Sequence, residues 1–335
     1  MKTKDLLPFV GNLTQLGGTR HYELTDGWAR NLRGIDINSG SGLKYTILPD
    51  RGMDISLASF KDANLVYLTC NGETHPSFYE PENIGWLRTF AGGLLTTCGL
   101  THIGGPVTED GENYGLHGRY STTPAKQVVD LSGWINDDYH IKIKGTIEEG
   151  FLFGKKLRLE REIRTILGQN KLIINDTVTN FGNQPSPYTI LYHMNFGYPM
   201  LSEDTELIIY PENTIPRDND ALSGIDEFHH FSEPQIGYKE QVFFHTMKGN
   251  KQGETEVHLI NKKLKINLTI RFNIKSLPYL TQWKMMGIGE YVLGLEPCNV
   301  PCKNRTALKE EKLLPTLLPG EMTTNRIELE ITEFL

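Results

Sequence analysis

Three side chains stand out as able to move protons, and they come from three remote stretches. His117 closes a glycine-dense segment that runs from Trp86 to Arg119 and also carries Arg88 and His102. His193 follows the strand-like run Tyr188-Thr189-Ile190-Leu191-Tyr192 and leads into Met194-Asn195-Phe196-Gly197-Tyr198-Pro199. Glu296 ends the apolar run Tyr291-Val292-Leu293-Gly294-Leu295 and precedes Pro297. General acid–base chemistry needs a proton donor and a proton acceptor that both work near neutral pH. Imidazole meets that unshifted, and burial raises a carboxyl toward it. A carboxylate ending an apolar strand is costly unless it is paired or employed. Competing readings stay open at each place: a glycine-rich connector with satisfied histidines, a core histidine among aromatics, and a salt-bridged glutamate at a strand end.

Other chemistries lack their signatures. The chain has no G-x-S-x-G, no H-E-x-x-H, no phosphate-binding loop and no G-x-G-x-x-G in a strand–helix setting. Cys298 and Cys302 are spaced C-x3-C between Pro297 and Pro301, with no second cysteine pair nearby, so no zinc or other metal site is expected. His229 and His230 follow Asp226-Glu227-Phe228 and read as a solvated loop.

The elements that must position these groups are strands. Period-2 alternation fills Tyr45–Leu48, Asp54–Leu57, Tyr139–Ile147, Lys156–Ile166, Lys171–Thr179, Leu207–Tyr210, Glu256–Ile260, Leu264–Phe272, Tyr291–Leu295 and Asn325–Phe334. Gly, Asn, Asp and Pro separate the runs. Helical periodicity is nearly absent; the best candidate is the cluster Leu6, Leu7, Phe9 and Val10, interrupted by Pro8. Roughly 15–20 strands without crossover helices predict an all-β fold of large antiparallel sheets packed face to face, with few short helices. No linker or repeat divides the chain, so a single domain over residues 1–335 is expected.

The 335 residues carry 34 basic and 41 acidic side chains, a net charge of −7, which argues against nucleic acid as a partner. No apolar run is long enough to span a bilayer, so no membrane is expected either. The N-terminal stretch loses any resemblance to an export signal at Pro8, Gly11 and Asn12. Four cysteines are too few for a disulfide framework at this length, so reduced thiols and a cytoplasmic location are expected.

At these residues the sequence resembles the aldose 1-epimerase (galactose mutarotase-like) superfamily, nearest to a branch of unknown function. The likeness runs from Leu32-Arg33-Gly34 through Glu296-Pro297. It rests on Leu116-His117-Gly118, on Tyr192-His193-Met194-Asn195 with Tyr198-Pro199, and on Gly294-Leu295-Glu296-Pro297. The resemblance implies a large antiparallel β-sandwich, a small-molecule sugar or sugar derivative as partner, and no cofactor. It also implies a mechanism in which a Glu takes the anomeric hydroxyl proton and a His protonates the ring oxygen. The ring then opens, the carbonyl carbon rotates, and closure gives the other anomer.

Carried over by position, Glu296 is the base, His193 the acid and His117 the second histidine of the site. Arg88 most nearly matches the substrate-binding arginine, and Arg51, Arg119, Asn195, Trp283 and Lys284 are further candidates for binding substrate. The sequence departs from the family pattern: Leu87-Arg88 replaces an Asn-Arg pair, and His193-Met194-Asn195-Phe196 replaces His-Pro-Tyr-Phe-Asn. No counterpart can be placed for the aspartate that grips distal sugar hydroxyls. The cations at Arg51, Arg88, Arg119 and Lys284 would suit an acidic or phosphorylated sugar, or would pair with carboxylates such as Asp50 and Asp54. Two alternatives remain at this stage. One is a sugar isomerase or epimerase acting beside the carbonyl, with Lys284 or a metal steadying an enediolate; the other is a non-catalytic sugar-binding module. The edge strands of such sheets also leave room for a homodimer.

Overall fold

Lys156–Ile166 shows why this sequence makes sheets: its residues alternate strictly between half-buried and buried, so one face of the strand meets the core. The same logic builds most of the chain. The computed structural model describes residues 3–334; Met1, Lys2 and Leu335, which the N-terminal reading and the 1–335 domain range include, lie outside the described residues. Among those residues are 24 strands and three α-helices of four to six residues. The N-terminal apolar cluster does form a turn of helix, Thr3–Leu6, which Pro8 continues as a 3-10 turn. No helix among the described residues is long and apolar enough to cross a membrane.

The largest sheet has nine strands and is antiparallel. Its C-terminal strand, Met322–Glu333, inserts between Lys171–Asn180 and Ile266–Asn273. A five-stranded sheet spans Gly18 to Asn64. The third sheet positions the site. Its strands are β1 (Thr96–Leu100), β2 (Thr189–Phe196), β3 (Pro211–Pro216), β4 (Gln241–Met247), β5 (Tyr279–Met286) and β6 (Tyr291–Cys298), in spatial order β3-β4-β5-β6-β2-β1.

One face of this third sheet closes the main core: Tyr192, Met194, Phe196, Leu293 and Leu295 pack in one cluster with Ile143, Leu159, Ile163 and Val178 of the nine-stranded sheet. Every residue of β2 is therefore buried, because its other face is covered too. A polar network stitches the two layers. Arg161 is fully buried and donates to Asp54 at 3.0 Å and to Asp176 at 2.7 Å. Tyr192 Oη donates to Asp176 at 2.8 Å, and the Thr97 amide and hydroxyl donate to Asp54. Asp54, a possible structural partner for the cations at Arg51, Arg88, Arg119 and Lys284, pairs instead with Arg161, which the alternation of its strand places on the buried face.

Candidate functional site

The outer face of the six-stranded sheet gathers the proton-moving groups. The register that pairs Leu191 with Cys298 and Met194 with Leu295 sets His193 beside Glu296 on adjacent strands. On the far side of β6, Thr281 lies opposite Glu296 and Trp283 opposite Gly294. Because side chains of one face recur every second residue, His193, Glu296, Thr281 and Trp283 all point the same way. His193 Nε2 is 3.2 Å from Glu296 Oε1, and both side chains are almost completely buried. Among the described residues no Lys or Arg pairs with Glu296, which removes the reading of a salt-bridged strand end.

Gly294 makes room for this contact. A Cβ there would lie 2.6 Å from Glu296 Oε1 and 3.0 Å from Trp283 Cβ, so only glycine lets the carboxylate lie back along its own strand.

His117 arrives from the glycine-dense loop. Its backbone takes the left-handed conformation (φ 59°), with its N–H donated to Gly104 O and its carbonyl accepting from Gly99 N–H. Gly118 follows at φ 76°, where a Cβ would strike the carbonyls of His102 and Gly99. The Leu116-His117-Gly118 motif is thus a tight turn that aims an imidazole at the sheet. The His117 ring lies 5.7 Å from that of His193, edge to face. Aromatic rings enclose the pair: Trp86 is 4.8 Å from His117, while Phe90 and Trp283 are 5.3 and 5.6 Å from His193. Trp86 stacks on Phe90 and anchors its Nε1 on Ser121.

These groups line one cavity of about 330 Å³, together with Leu87, Leu116, Arg217, Glu240 and Cys302. That is near the small end of ligand pockets, about 300–1,000 Å³, which suits a compact polar molecule between aromatic walls. At its wall, Glu240 accepts from Arg217 Nη2 at 2.9 Å and from Trp283 Nε1 at 2.9 Å, and Arg217 Nε also binds Asp218. Two other clefts, around Asp26 and Glu73 and around Asp36 and Lys44, lie away from these groups.

Burial sets the electrostatics. It lowers His193 to about 4, and it holds His117 well below the usual imidazole range, with His193 and His102 adding to the effect. It raises Glu296 well above the carboxylate range, and the charge of Glu240 adds to that. Desolvation therefore favours a neutral pair, with one proton held between carboxyl and imidazole. Among the described residues no group of three or more His, Cys, Asp or Glu is placed to hold a metal ion.

Of the residues singled out in the sequence, the structure brings together His117, His193, Glu296 and Trp283, and it places the other five off the cavity wall. Arg88 is exposed and pairs with Glu80 at 3.1 Å. Arg119 is exposed and caps the turn Tyr120–Thr122 with its carbonyl. Arg51 is buried and donates to the carbonyls of Thr74 and Thr89, so it ties loops together. Lys284 sits on the opposite face of β5 from Trp283 and donates to Glu227 O at 2.7 Å. Asn195 is fully buried behind His193. The alternating rule could have excluded Lys284 from the sequence, since Trp283 and Lys284 are adjacent in one strand. Sequence reasoning missed Arg217, Glu240 and Thr281, which carry no motif and meet the site only through long-range pairing, and it weighed Cys302 only as a metal ligand. Nor was His102 part of the wall: it is buried with Nε2 3.0 Å from Gly105 O and supports the loop.

The fold is that of the galactose mutarotase-like proteins. A candidate aldose 1-epimerase from Klebsiella pneumoniae subsp. pneumoniae MGH 78578 superposes with a TM-score of 0.90 at 25% identity, covering 99% of this chain and 87% of that one. A galactose mutarotase-like protein from Clostridium acetobutylicum gives 0.69 at 14% identity (96% and 100% covered), and a galactose 1-epimerase from Lactobacillus acidophilus NCFM gives 0.62 at 14% (95% and 100%). More particularly, residues 29–331 match the model of a domain of unknown function, DUF4432, and the chain belongs to that family. Among curated proteins, none matches this chain.

Proposed function

We propose that this chain is a cofactor-free aldose 1-epimerase, a single mutarotase-like domain that interconverts the anomers of a sugar with Glu296 and His193 as the proton-moving pair. The observation that carries this reading is the 3.2 Å contact of His193 Nε2 with Glu296 Oε1 in a cavity with aromatic walls. The pair holds one proton and one vacant acceptor, which is what opening a pyranose ring demands. Transfer of the proton from the carboxyl to the imidazole gives a carboxylate and an imidazolium. Glu296 then takes the proton of the anomeric hydroxyl while His193 gives its proton to the ring oxygen, and the bond from the anomeric carbon to that oxygen breaks.

Ring opening thus discharges both side chains at once, and burial favours the neutral pair that results. Rotation about the bond between the carbonyl carbon and its neighbour, followed by the reverse transfers, closes the other anomer. His117 stands at the same wall to orient the ring oxygen or the anomeric hydroxyl, and Trp283 offers a face for sugar C–H groups. The unpaired thiols suit the cytoplasm. With Lys284 turned to the other face of its sheet, the feature that favoured an enediolate intermediate no longer supports one.

Two-dimensional exchange NMR on a panel of aldoses tests this reading. Accelerated anomer exchange on at least one sugar, without solvent deuterium entering any carbon, is the expected result. Deuterium at the carbon beside the carbonyl, or binding without exchange on every sugar, overturns it.

A further inference from the structure

We infer that Asn195 is a positioning residue: its side-chain oxygen receives the Nδ1 proton of His193 and thereby presents the Nε2 lone pair to Glu296. This rests on the reading that His193 moves a proton, and it assigns a new role to a residue that the sequence suggested would touch substrate. Asn195 is fully buried and, unlike His193 and Glu296, does not line the cavity. It lies two residues from His193 on β2 and therefore on the same face.

The orientation of its amide is fixed by chemistry. Nδ2 donates to Gly93 O and to His193 O, both at 3.0 Å, and only an NH₂ group can serve two carbonyls. The oxygen must then be the free end. That Oδ1 and the Nδ1 of His193 are both buried, and the structure gives neither a hydrogen-bond partner. The other ring neighbours of the imidazole are Trp86, Phe90 and Trp283, with His117 edge to face at 5.7 Å; the two indole N–H groups are held by Ser121 and Glu240. An acceptor and a donor in need of each other stand two residues apart. Consistent with a ring that donates to the amide oxygen, the Asn195 side chain acts to raise the basicity of His193 against the lowering by burial.

The tautomer has consequences. With the proton on Nδ1, Nε2 is free to accept from the Glu296 carboxyl across 3.2 Å. With the proton on Nε2, two lone pairs would face each other at Nδ1 and Oδ1, and the imidazole would have no acceptor for the carboxyl proton.

Nitrogen-15 NMR of the intact protein with labelled histidine reads the tautomer directly. The expected result is protonated Nδ1 in neutral His193; protonated Nε2 overturns the inference. Asn195→Ala should shift the tautomer ratio and lower kcat for anomer exchange about 10- to 100-fold, the size found for partners that orient a functional imidazole, with KM changed less than about twofold. An Ala variant that keeps the tautomer and kcat of wild type overturns it as well. If that variant does not fold, the tautomer of the wild-type ring still decides. Absence of exchange with every sugar would defeat the proposed function and leave the NMR answer on Asn195 standing by itself.

Discussion

At the scale of single residues, Glu296 and His193 form an ion-pair geometry without a settled ion pair. Among the described residues neither has another charged partner within contact, and burial moves their affinities for protons in opposite directions. Exchange needs one proton on the pair. The rate should therefore be level around neutral pH and fall below about pH 4, where His193 takes a second proton. It should fall again on the alkaline side as Glu296 loses its proton; a pH–rate profile that rises steadily through either limb would contradict the shared proton. Gly294 bears on the same pair. Gly294→Ala should cost about a hundredfold in exchange rate, the scale expected for moving a reacting group by about 1 Å, while the thermal unfolding temperature stays near that of wild type. Steady-state exchange rates and a melting curve on the same sample check it.

At the scale of elements, two neighbouring strands and one glycine turn deliver the whole constellation. Much of that was legible. Tyr139–Ile147, Lys156–Ile166 and Lys171–Thr179 read as strands because their alternation reflects one buried face, and they form the heart of the nine-stranded sheet. His117, His193 and Glu296 were legible because each interrupts its surroundings: an imidazole in a glycine run, an imidazole after an apolar strand, a carboxylate before a proline. The choice the sequence left open for the cations, substrate or structural partner, has a physical reason. Arg51, Arg88, Arg119 and Lys284 are charged in the sequence, yet whether a charge meets a ligand depends on which face of a strand it takes and which carbonyls lie within reach. Glu240 and Arg217 were invisible because β3 pairs with β4, and β4 with β5, only after the chain has folded back across long separations. Trp283→Ala should weaken sugar binding by removing a cavity wall and by releasing Glu240, which a titration of sugar against the variant would show as a higher Kd.

At the scale of the whole molecule, the sheet that bears the site is held from behind by the Arg161, Asp54 and Asp176 network. Arg161→Met would strand two buried carboxyls and should destabilise the fold by about 3–5 kcal/mol, measurable by urea unfolding. The buried histidines impose a pH dependence on stability. His102, His193 and His245 are lowered to about 4 and His117 further, so between about pH 6.5 and 4 the unfolded chain binds protons that the folded chain refuses. Asp54, raised to about 6, and Glu296 act in the opposite sense, but these two oppose five, since His140 is lowered as well. Stability should therefore fall as pH drops from 6.5 to 5, and melting temperatures across that window check the sign. The account as a whole is most directly tested by Glu296→Gln, assayed for anomer exchange by NMR and for sugar binding by the fluorescence of Trp86 and Trp283 in the cavity wall. It predicts that binding survives while accelerated exchange disappears; exchange at the wild-type rate would contradict it.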